Sequence, residues 1–589
     1  MRYTVLSLSL LLSAIPTVAL AQLPGVSEVQ LSSPQHPGSD VDDQSLLYSP
    51  DGRYACFIGD TETEGAEELW CADTVEGAVA VRVSGILPTG TSVQRPEFSA
   101  DGEVIFYVAP GPVSTNNDLF MVSPDGSSAP IRLNAPLVPA GVGVGRFHYL
   151  PDTRQMIYQA DSQLLGQSRL HVVSVDQPGV VTILNGPLVT GGEVDSFEVV
   201  PEPGRVVYLA DQQSAGVLEL YSVRLDGAGA VKINGPLAGG GDVFSFEISP
   251  DGSRVAYRAD EDVNDVLELY VSAVDGGGST KVSGTAVADG DSRFYFFSPD
   301  SQWLIFTGDL ATNGWRDLYS TPADGSQQTP NVLATQIQEA PKPPGIEFLP
   351  DISVTTDGTQ VLFLSRQGNP PIRRALRAPI DGSTPAVVLS GGLTDVRSLQ
   401  YLPEIERILI RSGGAPSNYY SIAINGSSFI PLTSFSSTAI DVIGRGTPGG
   451  MVYLADPAVN EEFSVFFVDY QGQATHELSS ADEVFEGLVG FFRLSEDQRV
   501  VYFVERRSSF SPIFSSFRLK VVDLESLASS ELAVLSNSAL VTGDREFLSF
   551  LANPVNRYQV IYVADRDIDE QADAYLATLS DGIFVDRFE

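Results

Sequence analysis

The stretch Ser245-Phe246-Glu247-Ile248-Ser249-Pro250-Asp251-Gly252-Ser253-Arg254-Val255-Ala256-Tyr257-Arg258-Ala259-Asp260, continued through Glu268-Leu269-Tyr270 to Asp275-Gly276, decides how this chain is read. Ser245–Ser249 has the composition of a short strand. Pro250-Asp251-Gly252 suits a tight turn, because proline presets φ and glycine accepts positive φ. Arg254–Arg258 is a second strand, an acidic loop follows, and Leu267–Ala273 is a third. Ahead of them, Val231-Lys232-Ile233-Asn234 alternates and stops at Gly235-Pro236, so the unit holds four strands.

The unit returns along the chain. Copies lie at 48–73, 98–125, 149–176, 199–226 and 297–324, and weaker ones at 354–381, 401–425, 442–469, 493–523 and 551–581. A self-similar unit of roughly 50 residues made of four antiparallel strands is the pattern of β-propeller blades. The predicted class is all-β. About 11 units exceed the usual four to eight blades of one ring, so two rings are expected. The pattern stretches at Gln338-Glu339-Ala340-Pro341-Lys342-Pro343-Pro344. The expected division is a first propeller over 22–325 with about six blades and a linker or long loop over 326–345. A second propeller follows over 346–580 with about five blades, then a tail at 581–589. Val29-Gln30-Leu31-Ser32 precedes the first full unit and is expected to pair with the last blade of its ring, removing two free edges. Asn331-Val332-Leu333-Ala334 is the corresponding strand for the second ring.

Basic residues number 35 and acidic residues 75, a net charge of −40. Such a surface repels phosphate backbones and anionic lipid, so nucleic acid is not an expected partner; cations and basic partners are favoured. The plainer reading is that the charge keeps an extracellular protein dissolved. Arg2, the apolar run Val5–Ile15 and Ala19-Leu20-Ala21 read as a secretory signal over 1–21. No other stretch is long and apolar enough for a membrane span. An exported, periplasmic or extracellular chain is therefore expected. Cys56 and Cys71, the only two cysteines, fall opposite one another when the first hairpin is folded about residues 63 and 64, which predicts a disulfide.

The phrases Phe98-Ser99-Ala100-Asp101-Gly102, Ile248-Ser249-Pro250-Asp251-Gly252 and Phe297-Ser298-Pro299-Asp300 resemble the repeats of TolB-like, PD40-type β-propellers. So do the downstream Leu220-Tyr221, Leu269-Tyr270 and Leu318-Tyr319. The resemblance covers most of the chain and implies a propeller in the cell envelope or outside the cell. The final stretch Asp581–Glu589 is similar to the short acidic-aromatic ends of some secreted bacterial proteins.

The acidic loop after the strand equivalent to Arg254–Arg258 places oxygen-bearing side chains at i, i+2 and i+4: Asp260, Asp262 and Asn264; Asp565, Asp567 and Asp569; Asp60, Glu62 and Glu64. That spacing can wrap a calcium ion, although the same residues are ordinary in hairpin turns. A serine hydrolase would need a Gly-Xaa-Ser-Xaa-Gly elbow, which is absent, and His36, His148, His171 and His476 have no ligand spacing. Carboxylates across a central funnel could serve a hydrolase or lyase, but no pair stands out. Tyr158, Tyr208, Tyr257, Tyr453, Tyr502 and Tyr562 recur at one position and are expected between blades. The leading expectation is a non-enzymatic binding or scaffold protein for a protein, peptide or glycan ligand. The alternatives are a hydrolase or lyase acting in the funnel, and a calcium-dependent structural or adhesive surface protein.

Overall fold

A computed structural model of the chain describes residues 26–32, 39–42, 44–74, 79–111, 116–141, 143–287, 290–339, 351–367, 372–393, 395–413, 417–434, 443–455, 464–479, 492–508, 515–527, 529–536, 549–557, 559–564 and 573–579. The expected signal at 1–21, the prolines at 341–344, His36, Asp565, Asp567, Asp569 and the tail lie outside these residues.

The repeat folds into eleven antiparallel sheets. In chain order the blades occupy 47–82, 94–132, 147–183, 194–232, 243–281, 292–339, 352–388, 396–431, 443–477, 492–536 and 549–579. Within each blade strands that follow one another in the chain lie side by side and antiparallel, and one outer strand, that of blade 11, comes from elsewhere in the sequence. The Ser-Pro-Asp-Gly phrase makes the first hairpin of a blade. In blade 5 the Ser249 hydroxyl donates to Asp251 Oδ1 (2.7 Å) and accepts from the Arg254 amide (2.9 Å), while the Gly252 amide reaches Ser249 O. Gly252 sits at φ +69°, and Ser301 and Gln498 take the same left-handed position in blades 6 and 10.

The unit read from sequence is offset by one strand from the blade. Val231–Lys232 pairs with Glu219–Arg224 and so forms the outer strand of blade 4, not the first strand of blade 5. The same offset explains Val26–Gln30. It pairs with Asp573–Leu579 along five residues, from Val26 opposite Leu579 to Gln30 opposite Tyr575, and completes blade 11.

The expected division into two rings is corrected by how the blades pack. Asn331–Glu339, read as part of a linker and as a closing strand, is the outer strand of blade 6. Ile305, Leu318, Leu333 and Ile337 of blade 6 share one core with Val361, Phe363 and Leu376 of blade 7. Ile561, Val563 and Leu576 of blade 11 pack with Phe57, Trp70 and Ala72 of blade 1. The other neighbours are joined in the same way, blade 1 to 2 through blade 9 to 10, and Tyr502 and Arg493 of blade 10 lie against Phe550 of blade 11. The series closes on itself as one eleven-bladed propeller.

The cores lie between sheets, and the recurring tyrosines fill them. Tyr158, Tyr208, Tyr257, Tyr453, Tyr502 and Tyr562 are all buried, but Tyr502, opposite Arg493, stands one place before the position the others share, which Phe503 fills in blade 10. Tyr208, Tyr257 and Tyr562 stack on Tyr221, Tyr270 and Tyr575 of the adjoining strand at 5.3–5.4 Å between ring centroids. Cys56 and Cys71 face each other in register on neighbouring strands and form the predicted disulfide in this buried layer. Among the described residues no helix is long and apolar enough to cross a membrane.

Candidate functional site: the central channel wall

The sequence pointed to the acidic loops, and the structure gives their first residue a scaffold task. Asp260 Oδ2 accepts the amide of Asp265 (3.0 Å), and its Oδ1 accepts the amide of Asp242 (2.5 Å). Asp211, Asp309 and Asp60 make the same two bonds, the first to the amide five residues ahead and the second to one 18–20 residues back. The carboxylate thus closes its own loop and ties it to the loop that leads into the blade. Of the other candidates, Asp262 pairs with Lys281 (3.1 Å) and Glu62 with Arg82 (2.7 Å). Asn264 donates to Asp265 (2.7 Å), and Glu64 is exposed. Among the described residues no three His, Cys, Asp or Glu side chains come together in a way that could hold a metal ion.

Glu268 is buried at the start of its strand. It accepts the Tyr270 hydroxyl (2.7 Å) and pairs with Lys281. Glu219 repeats this with Tyr221 (2.6 Å) and Lys232 (2.7 Å). The Glu-Leu-Tyr phrase is therefore a buried network that locks the third strand to the outer one.

A different set of side chains gathers where the sheets converge. The first strand of each blade is the inner one. Ser245 of blade 5 bonds Tyr295 of blade 6 (2.9 Å), and the Leu399 amide of blade 8 donates to Asp351 at the start of blade 7 (3.1 Å). Pairing with the second strand fixes equivalent positions around the ring. Leu47, Glu97, His148, Glu198, Glu247, Phe296, Ser353, Gln400, Arg445, Arg493 and Leu551 occupy one level, each opposite the same place in its neighbour. Glu97, His148, Glu198, Gln400, Arg445 and Arg493 are exposed on these innermost strands, which turns them toward the channel.

Part of this level seals the wall. Inner strands leave an unpaired backbone edge, and side chains reach across to it. Glu247 accepts the Phe297 amide (3.4 Å), Gln400 accepts the Gly446 amide (3.3 Å), and Arg493 donates to Phe550 O (2.5 Å).

The same level borders two clefts. A cleft of about 430 Å³ on blades 2–4 is lined by Arg95, Glu97, Arg146, Phe147, His148, Phe197, Glu198 and Val199. Burial raises the Glu97 carboxyl, opposed by His148, and raises that of Glu198, opposed by Arg146. Next to them, burial pushes Glu247 up to about 7, the Phe297 amide opposing and the charge of Glu198 adding to the rise. A second cleft of about 460 Å³, on blades 8–10, is lined by Gln400, Arg445, Phe492, Arg493 and Glu496 among others. Sequence reasoning left His148 as one of four scattered histidines and did not single out the three glutamates. The signal was present: a glutamate or histidine stands two places before the residue that opens the first hairpin turn, Ser99, Leu150, Val200 and Ser249, in four successive units.

The other histidines have separate places. His171 is buried against Tyr158 (4.9 Å between ring centroids), with Nε2 bonded to Ser162 Oγ (2.7 Å). Burial lowers its imidazole to about 4. His476 is exposed on the outer strand of blade 9.

No family model and no curated protein matches the chain. Among solved structures it is similar to dipeptidyl peptidase 4 of Porphyromonas gingivalis, with 11% identity, 80% of this chain and 65% of that one covered, and a TM-score of 0.39. It is also similar to an oligogalacturonate lyase in complex with manganese (15% identity, 57% of this chain and 88% of that one, TM-score 0.28). A protein assigned as TolB from Agrobacterium tumefaciens matches with 17% identity over 44% of this chain and 87% of that one, TM-score 0.25. Likeness this loose assigns no activity to the chain.

Proposed function

We propose that the protein is an exported, non-enzymatic binding or scaffold propeller that takes a protein, peptide or glycan ligand in its central channel. One observation carries this reading: exposed charged side chains at a single level of the innermost strands, set in two clefts. Residues needed only for packing would be apolar there, as Leu47, Phe296 and Leu551 are. The disulfide is the element that supports an oxidising location. Pull-down from a native envelope extract with the intact protein and with Glu198→Gln/Arg445→Gln tests the reading. A partner captured by the first and lost by the second supports it, and identical capture by both removes the channel from the account.

A hydrolase or lyase acting in the channel is the second reading, and Glu247 is what favours it. A carboxyl held near 7 beside a second carboxylate is suited to give or take a proton at neutral pH. Screening the purified protein against peptides and glycans decides it. Robust turnover abolished by Glu247→Gln would replace the binding reading.

A further inference from the structure

We infer that Asn425 is a self-modification site: its side-chain amide hydrolyses in the folded protein, without an enzyme, and leaves aspartate in a turn already built for it. Asn425-Gly426 is exposed in the hairpin between the third and outer strands of blade 8. Blades 2, 4, 6 and 7 make the same turn with Asp125, Asp226, Asp324 and Asp381, each followed by glycine. In all four the carboxylate accepts the amide two residues ahead at 2.9 Å, and Asn425 Oδ1 accepts that of Ser427 at 2.9 Å. Gly426, at φ +78°, falls within the +66° to +80° of the four equivalent glycines.

The turn supplies what the reaction needs. The Gly426 nitrogen gives up its proton and attacks Asn425 Cγ, ammonia leaves, and water opens the cyclic imide, so that amide and water become carboxylate and ammonium. Negative charge develops on Oδ1 during the attack, and the Ser427 N–H already points at that atom. Among the described residues nothing accepts a bond from Nδ2, the nitrogen that leaves. Gly426 brings no Cβ against the ring that forms. The bond from its N–H to Ala423 O (2.7 Å) is the one that must break.

The other Asn-Gly pairs lack these conditions. Asn185 and Asn234 are buried, and each holds its Nδ2 on the carbonyl of the glycine that follows, at 2.8 and 2.9 Å. The nitrogens of Gly186 and Gly235 donate to Tyr208 and Glu261. Asn313 is exposed, but the Gly314 nitrogen donates to the Asp309 carboxylate (3.1 Å), whose charge opposes loss of the proton. The fold also selects the product. An unconstrained imide opens mainly to isoaspartate, which lengthens the backbone by a carbon and displaces the turn bonds. Aspartate keeps them, and the four equivalent carboxylates are held below the usual range by serine hydroxyls and turn amides.

Incubating the intact protein at mildly alkaline pH, beside a urea-unfolded sample, and mapping peptides by mass spectrometry tests this. In the fold the Asn425 peptide is expected to convert at least about tenfold faster than those of Asn185, Asn234 and Asn313, a difference of about 1.4 kcal/mol in barrier. Its product is expected to be aspartate, matched to Asn425→Asp as standard, whereas the unfolded sample converts all four and gives mainly isoaspartate. Asn425→Asp itself should melt no lower than the parent. Conversion of Asn425 no faster than at the two buried asparagines overturns the inference, as does isoaspartate as the main product in the fold or a lowered melting temperature of Asn425→Asp.

Discussion

Asp260 and Asp265 stand five residues apart and divide one task. The first supplies the carboxylate that accepts two amides, and the second supplies the backbone position at φ +64° that makes one of those amides reachable. At the second position blades 1, 3, 4 and 6 have Gly65, Gly166, Gly216 and Gly314, which adopt the left-handed region without a Cβ penalty. Asp265→Gly is therefore expected to be neutral or stabilising by up to about 1 kcal/mol, and Asp260→Ala to cost about 2 kcal/mol by leaving two amides without their acceptor. Chemical denaturation of both variants checks the pair, and equal effects would contradict the latch. His171 gives a pH prediction. Its imidazole titrates near 4 in the fold against 6.5 when unfolded, so the unfolded chain takes the proton first. Stability from this site is full above pH 6.5 and falls by about 3 kcal/mol as pH drops toward 4. His171→Tyr, which installs the residue found at the equivalent Tyr221 and Tyr270, should flatten that part of the pH profile. Glu247 works in the opposite sense. Its raised carboxyl favours the protonated form, so its contribution declines as pH rises from 4.5 toward 7, and Glu247→Gln should remove the decline.

At the level of elements, the hairpins were legible and the sheet boundaries were not. Ser249, Asp251 and Gly252 announce their turn because its hydrogen bonds all fall within residues 249–254. Val231–Lys232 carries no mark of which sheet it joins, since a strand between two blades can pair with either and only packing settles it. The channel level was hidden for a related reason. Glu97, His148, Glu198 and Glu247 differ in type and lie roughly 50 residues apart, so nothing in the order of residues joins them. The two cysteines were placed correctly because one hairpin separates them. Replacing Cys56 and Cys71 together with alanine should cost about 3 kcal/mol, the entropy regained by a short loop in the unfolded chain. Removing residues 26–30 takes the outer strand from blade 11 and should cost a similar ~3 kcal/mol, since each cross-strand pair contributes up to about 1 kcal/mol. Calorimetry measures both losses, and a synthetic strand added in trans should restore part of the second.

Across the whole molecule, net charge works against compactness. Forty uncompensated negative charges repel one another over distances that salt shortens. The melting temperature should rise by a few degrees between about 20 and about 300 mM sodium chloride. A flat response would mean that the local pairs, such as Arg82 with Glu62 and Glu68, already absorb the field. Two rings were expected because few rings exceed eight blades. The interlocked cores of blades 6 and 7, and of blades 11 and 1, join them into one circle.

That circle is sealed by residues at opposite ends of the described chain. Val29 must wait for Leu576, its partner more than five hundred residues downstream, so the first of the described strands to be made is the last of them to be paired. Until then blade 1 and the strand at 26–30 have no neighbour on that side, however complete the other blades are. Assembly is thus a race between finishing the polypeptide and the unpaired edge finding some other strand. Any pause in synthesis lengthens that exposure, and the misassembled product it favours is two chains that have exchanged their first strands.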